Sequence, residues 1–290
     1  MDLISYHNDL AWPSQYNNKF PEKYYLSFLS RLVELPLFNS TIKYNRFIPK
    51  HEEAYDFWNY CYRGFRRPFR DLTSKDVNYV VRNNFQEAVS NILFYQKKSH
   101  FIAEYSGWSR IDFMRDIFPN AKFIHIVRDG RAVANSFTNV GYWMGWEGIY
   151  KWRWGLLDKE LREIWQKYDN SFLALAAIQW KILVNNIKEN IELLPKENYL
   201  IIKYEDMVKS PIKIANKCLE LLGVDSQDKK FKKHLSTTKI TDANTKQLRI
   251  PPWKTSMTKK QILMLNDILE EELKYYNYLK SQGNSISSQN

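Results

Sequence analysis

The sequence predicts an α/β fold: a parallel sheet flanked by helices. Three observations lead there. Short apolar segments (Phe101–Tyr105, Lys122–Val127 and Tyr199–Tyr204) alternate with longer stretches of helical periodicity. From residue 101 onward the order runs strand, helix, strand, tight turn, helix, which is how a parallel sheet is built. Finally, 290 residues with 44% hydrophobic content can bury one substantial core. A single domain over residues 1–280 is therefore expected, followed by a polar, disordered tail at 281–290.

Taken in order, residues 1–8 read as the end of an amphipathic helix, and Asp9 to Pro13 as a short extended piece. Pro21 and Glu22 open a second helix through Leu35. A loop crowded with aromatic and charged residues follows to about Arg70, with HEEAYDFW opening a helix inside it. Ser74 suits the N-cap of a helix to about Gln96, with apolar residues at Val77, Val80, Val81, Phe85, Val89, Ile92 and Leu93. Phe101–Tyr105 is a buried strand, Arg110–Phe118 a helix stopped by Pro119, and Lys122–Val127 a strand leading into the helical RAVANSFTNV. An aromatic loop covers Gly141–Gly155. Ser171–Leu194 is a long helix with Phe172, Leu175, Ala176, Trp180, Leu183 and Ile187 on one face. After the strand Tyr199–Tyr204, Ser210 caps a helix that has Pro211 in its first turn and Gly223 at its end. Thr258–Leu279 is the last helix.

Composition narrows the partners. With 43 basic and 32 acidic residues the net charge is +11, which favours anionic ligands. The lysines are spread over helices rather than gathered in a stripe, so nucleic acid is not expected as a partner. Cys61 and Cys218 are too few for a disulfide framework and read as buried thiols of a reducing compartment. No apolar run is long enough to span a bilayer, and no signal peptide opens the chain. A cytoplasmic location is expected.

The chemistry concentrates in FPNAKFIHIVRDGRAVANS, residues 118–136. A buried strand ends at Val127, Arg128 follows at its carboxyl edge, an Asp129–Gly130 turn comes next, and a helix starts near Arg131. Ligands of open α/β sheets bind outside the carboxyl ends of the strands, and an arginine there presents a bidentate fork to a phosphate. Ser136, about two turns into the helix, can add a hydroxyl donor. The alternative is structural: Arg128 pairs with Asp129, Glu104 or Asp206, and Ser136 faces solvent.

This segment resembles the 3′-phosphate-binding motif of the sulfotransferase family, whose members take sulfate from 3′-phosphoadenylyl sulfate (PAPS). YLIIKYEDMVKSPIKIANKCLELLGV (199–224) is similar to the family's later strand–YEDL–helix segment. DLAWPSQYNNKFPE (9–22) and WRWG (152–155) look like its bacterial, carbohydrate-type branch. The resemblance implies a P-loop NTPase-like fold and sulfuryl transfer from PAPS to an acceptor hydroxyl, on a carbohydrate or small molecule, with no metal. It places Arg128 and Ser136 on the 3′-phosphate of PAPS or of the product adenosine 3′,5′-bisphosphate. Lys246 and Arg249 are the nearest substitutes for the family's late basic loop.

The same resemblance implies an absent piece. The family opens with a strand and a PRSGTT loop that wraps the 5′-phosphosulfate, whereas here Met1–Ser5 aligns with the helix after that loop and no glycine precedes Gly64. The expectation is an N-terminal truncation before or within that loop, from a misplaced gene start or from decay. A decayed copy would be a non-catalytic binder of nucleotide or glycan. The family's lysine after the second strand is replaced by Glu104. For the base that takes the acceptor's proton, His7, His51, Glu52 and Glu53 are available; Glu53 is favoured because it opens the helix after the first loop. The competing reading makes these carboxylates ordinary residues of a helical first turn. Tyr204 fits either an adenine wall or a core tyrosine. Trp143, Trp146, Trp152 and Trp154 fit either a lid over a sugar or the packing of a long loop.

Overall fold

The structure, a computed structural model, describes residues 3–34, 47–66, 69–226, 228, 231, 232 and 252–279. They fall into two compact units, Met1–Ile126 with Asn186–Asp242, and Val127–Asn185 with Ala243–Asn290.

In the first unit, residues 3–9 are turns rather than a helix end. His7 is the reason. The Asp9 N–H donates to its Nδ1 at 3.2 Å and its Nε2 meets the Asp225 carbonyl at 2.9 Å, so the buried ring pins the turn from both sides. The chain then enters β1 (Leu10–Ala11), which pairs in parallel with β2 (His100–Phe101), Leu10 opposite His100. Next to β1, the buried Gln96 side chain accepts from the Trp12 N–H and donates to the Trp12 carbonyl, continuing the strand's pairing by other means. A second two-stranded sheet joins β3 (Phe123–Val127) and β4 (Tyr199–Lys203). The α/β class holds, with shorter strands than the apolar runs suggest: beyond Phe101 the chain leaves the ladder to reach α4 (Ile111–Ile117).

Helices surround these sheets. After α1 (Gln15–Lys19), Tyr24–Glu34 forms a 3₁₀ helix, and α2 (Tyr55–Cys61) is the helix expected to open at HEEAYDFW. The Ser74 start is corrected. Thr73 caps a single 3₁₀ turn, Ser74–Asp76, and Asn78 caps α3 (Tyr79–Gln96) by accepting from the Val81 N–H. Along α3, Val81, Phe85, Val89 and Ile92 are buried, one apolar stripe at helical spacing, whereas Val80 is exposed and Val77 precedes the helix. The stripe meets an aromatic core in which Trp58 stacks on Phe85 at 5.4 Å and 14°, with Phe57, Phe65 and Phe113 around them. Cys61 lies in this core; Cys218, on α9 (Pro211–Leu222), lies in a second one with Leu10, Ile102 and Ile202. Burial pushes the Cys61 thiol up to about 12 and the Cys218 thiol up to about 11, so both stay protonated.

The second unit is organised on α5 (Gly130–Phe137), α6 (Lys159–Lys167) and α7 (Phe172–Glu192), the last helix continuing into the first unit from Asn186. Ala174 to Ile178 are all fully buried, so α7 is covered all round there and not on one face; Phe172 stands half-exposed against Trp146 instead. Gly130 lies so close to Trp180 that an added Cβ would sit 2.6 Å from the ring. The last helix of the sequence reading breaks at Leu269 into Lys259–Ile268 and Glu270–Tyr275. Glu272 there is buried and receives Lys181 at 2.9 Å and Asn185 at 2.8 Å from α7.

One ionic cluster ties α5 to these C-terminal helices. The Asp129 carboxylate caps α5 through the Arg131 N–H at 3.0 Å, and also takes the Arg131 guanidinium at 3.0 and 2.8 Å. Arg131 reaches on to Asn266 at 2.9 Å and the Tyr278 carbonyl at 3.3 Å, under the Trp253 ring at 4.6 Å. The side chains of the pair are only 9% and 11% exposed. Removing one partner of a buried, fully bonded pair strands the other charge. Arg131→Ala should therefore lower unfolding free energy by about 3–5 kcal/mol in urea titrations; a loss below about 1 kcal/mol would contradict this account.

Candidate functional site

Arg128 stands between the end of β3 and the α5 cap, half-buried, where a strand's carboxyl edge opens. Ser136 is exposed on α5, six residues past Gly130 and so about 9 Å along its axis. Both Asp129 oxygens accept from Arg131, Oδ1 from its N–H and Nε and Oδ2 from its guanidinium. Arg131 therefore offsets the one carboxylate adjoining Arg128 in sequence. The chemistry of the donor set, one guanidinium and one hydroxyl, fits a phosphate.

A second cluster lies in the first unit, around Glu53. Its Oε2 accepts from the Ser106 hydroxyl at 3.1 Å. Burial raises the Glu53 pKa above the usual carboxylate range and the Glu104 charge raises it further, while Ser106, Tyr55 and Arg110 pull it down. Tyr55, in the first turn of α2, accepts from the Ser106 N–H at 2.8 Å and donates to the Ser106 carbonyl at 2.7 Å. Arg110 is 2% exposed, with its guanidinium over the rings of Phe65, Tyr55 and Tyr105 at 4.6, 5.8 and 5.9 Å. It donates to the Trp108 and Phe65 carbonyls at 3.0 and 3.1 Å. Asp71 accepts from the Ser109 hydroxyl at 2.5 Å and the Arg110 N–H at 2.8 Å, fixing the head of α4.

Two residues here hold left-handed backbone conformations despite their Cβ atoms: Ala54 at φ 51° before α2, and Arg110 at φ 52° before α4. Such a residue costs about 1–3 kcal/mol unless its surroundings over-determine it. Tyr55, Ser106, Arg110 and Asp71 escape the sequence reading because nothing in composition or spacing announces them. Their association is made by tertiary contacts between α2 and the connection after β2.

The other sequence candidates divide. His7 is built into the N-terminal turn by both ring nitrogens. His51 sits edge-on to Trp12 at 6.2 Å and bridges to Ser14 through the backbone. Glu52 is raised by burial and accepts from Asn18 at 3.2 Å. Tyr204 is half-buried at the start of α8 (Tyr204–Lys209), directly after β4. Lys246 and Arg249 lie outside the described residues. In the aromatic loop, Trp143, Trp152 and Trp154 are buried, Trp143 donating to Gln179 at 2.7 Å, so packing accounts for three of its four tryptophans. Trp146 is the exposed one, at 40%.

A model of the sulfotransferase family matches residues 45–228, a span that contains Glu53, Arg128, Ser136 and Tyr204. Among solved structures, the chain is similar to the sulfotransferase STF9 from Mycobacterium avium at 15% identity and TM-score 0.51, over 94% of this chain and 72% of that one. That likeness concerns the fold. The sulfotransferase domain from the Synechococcus PCC 7002 olefin synthase matches at 18% identity and TM-score 0.40, over 89% of this chain and 92% of that one. The sulfotransferase domain of the curacin biosynthetic pathway matches at 19% identity and TM-score 0.35, over 50% of this chain and less than half, 44%, of that one. A comparison with curated proteins found no match. With the matched span covering more than half of its 290 residues and running through both the Glu53 and the Arg128 clusters, the chain belongs to the sulfotransferase family.

Proposed function

We propose that this protein transfers a sulfuryl group from PAPS to a hydroxyl of a carbohydrate or small-molecule acceptor in a reducing, cytoplasmic setting. The observation that carries this reading is the strand–Arg128–capped helix–Ser136 arrangement in a member of the sulfotransferase family. Arg128 and Ser136 take the 3′-phosphate, and Tyr204 lies against the adenine. Lys246 and Arg249 add positive charge from the late loop.

Glu53 serves as the base. The acceptor hydroxyl gives its proton to the Glu53 carboxylate as its oxygen attacks sulfur in line. The bond from sulfur to the 5′-phosphate oxygen breaks on the opposite side, and adenosine 3′,5′-bisphosphate leaves with the electron pair. A carboxyl raised by burial supports this role, because a stronger base lies closer to the hydroxyl it must deprotonate.

The sign of the pH dependence follows. Glu53 must be ionised to accept a proton, so the rate rises as pH climbs through its raised pKa, and the acid limb lies above the ordinary carboxylate range. Transfer of label from ³⁵S-PAPS to a panel of hydroxyl acceptors tests the reading. Glu53→Gln should cut kcat by about 10²–10⁴ with little change in KM for PAPS. A variant within about threefold of the parent would remove Glu53 from the base position. Absence of any label transfer by the parent chain would overturn the proposal itself.

A further inference from the structure

We infer that Ser106 and Tyr55 form a positioning pair for Glu53: Ser106 holds one carboxylate oxygen, and Tyr55 fixes Ser106 by both of its backbone groups. The inference rests on the reading of Glu53 as base and adds the two residues that aim it.

The geometry is unusually restrictive. One phenolic oxygen accepts the Ser106 N–H at 2.8 Å and donates to the Ser106 carbonyl at 2.7 Å, so this residue cannot rotate its backbone without losing both bonds. The Ser106 Oγ lies 3.2 Å from the same phenol and 3.1 Å from Glu53 Oε2. Since the phenol has only one proton and gives it to the carbonyl, the serine's own proton is directed to the carboxylate. Tyr55 is two residues from Glu53 across the left-handed Ala54, so the base lies just before α2 and its clamp in the helix's first turn. The Arg110 guanidinium over the Tyr55 ring holds the phenol in place from the α4 side.

The ionisable groups acting on Glu53 are Tyr55 on α2, Glu104 after β2 and Arg110 at the head of α4. Against that fixed background, the Ser106 bond favours the ionised carboxylate. Deleting the hydroxyl removes a donor to the charged form and leaves burial less opposed, so Glu53 should titrate at higher pH. An orienting bond to a charged group is also worth about tenfold in rate when its acceptor is the reacting atom's carrier.

The test compares the parent chain, Ser106→Ala, Ser106→Thr and Glu53→Gln in two readouts. The first follows the Glu53 side-chain carbonyl by ¹³C NMR across pH, which needs no turnover. The second is the pH profile of labelled transfer from PAPS. Ser106→Ala should displace the Glu53 titration upward, move the acid limb with it and lower kcat about tenfold at unchanged KM for PAPS. Ser106→Thr, which keeps the hydroxyl, should restore both. Should Ser106→Ala fail to fold, Tyr55→Phe keeps the ring beneath Arg110, removes both the phenol's own pull on Glu53 and its hold on Ser106, and is expected to move the titration the same way. An unmoved titration, or a uniform loss of rate without movement of the acid limb, overturns the pairing. Retained activity in Glu53→Gln overturns instead the base assignment on which the pairing rests.

Discussion

The Asp129 carboxylate meets two demands at once, and the position of α5 depends on both. It closes the open N-terminus of the helix, and it neutralises an arginine that the helix carries into a nearly dry interior. A buried guanidinium needs a counter-charge and filled donor sites. Asp129, Asn266, the Tyr278 carbonyl and the Trp253 ring supply them together. Gly130 lets the turn approach Trp180, where any side chain would collide. The result is a strand end whose neighbouring carboxylate is bonded to Arg131 through both oxygens. Two arginines three positions apart thus have different tasks: Arg131 builds the unit and Arg128 stands at the strand's edge.

The Glu53 cluster is held by the opposite kind of economy. Two left-handed residues, Ala54 and Arg110, accept backbone strain so that the starts of α2 and α4 can face the Ser106 segment. Asp71 and a cage of aromatic rings hold Arg110 where a cation would otherwise be costly. Backbone strain, a buried charge and a carboxyl of raised pKa are thus gathered in one place.

Much of the fold is legible in the sequence because its signals are local. The apolar runs at 123–127 and 199–203 give strands, and Pro211 with Gly223 brackets α9. The misreadings arise where tertiary contacts override local cues. His7 turns an apparently helical N-terminal segment into a pinned turn, and Asn78 takes the capping role from Ser74. The tryptophan loop offered two readings that spacing alone could not separate; burial of Trp143, Trp152 and Trp154 decides for packing in three of the four. Of the proposed site residues, Arg128 and Ser136 come from one contiguous motif. The Tyr55–Ser106–Glu53 bonds join positions about fifty residues apart and leave no trace in a linear pattern.

The central claim is that Arg128 reads a 3′-phosphate, and a cycle of two ligands on two proteins tests it most directly. Calorimetric titration would compare adenosine 3′,5′-bisphosphate with adenosine 5′-phosphate on the parent chain and on Arg128→Ala. The account predicts that the 3′-phosphate strengthens binding by about 100-fold in the parent and that most of this preference disappears in the variant. Equal affinity of the parent for the two nucleotides, or a preference undiminished by Arg128→Ala, would contradict it.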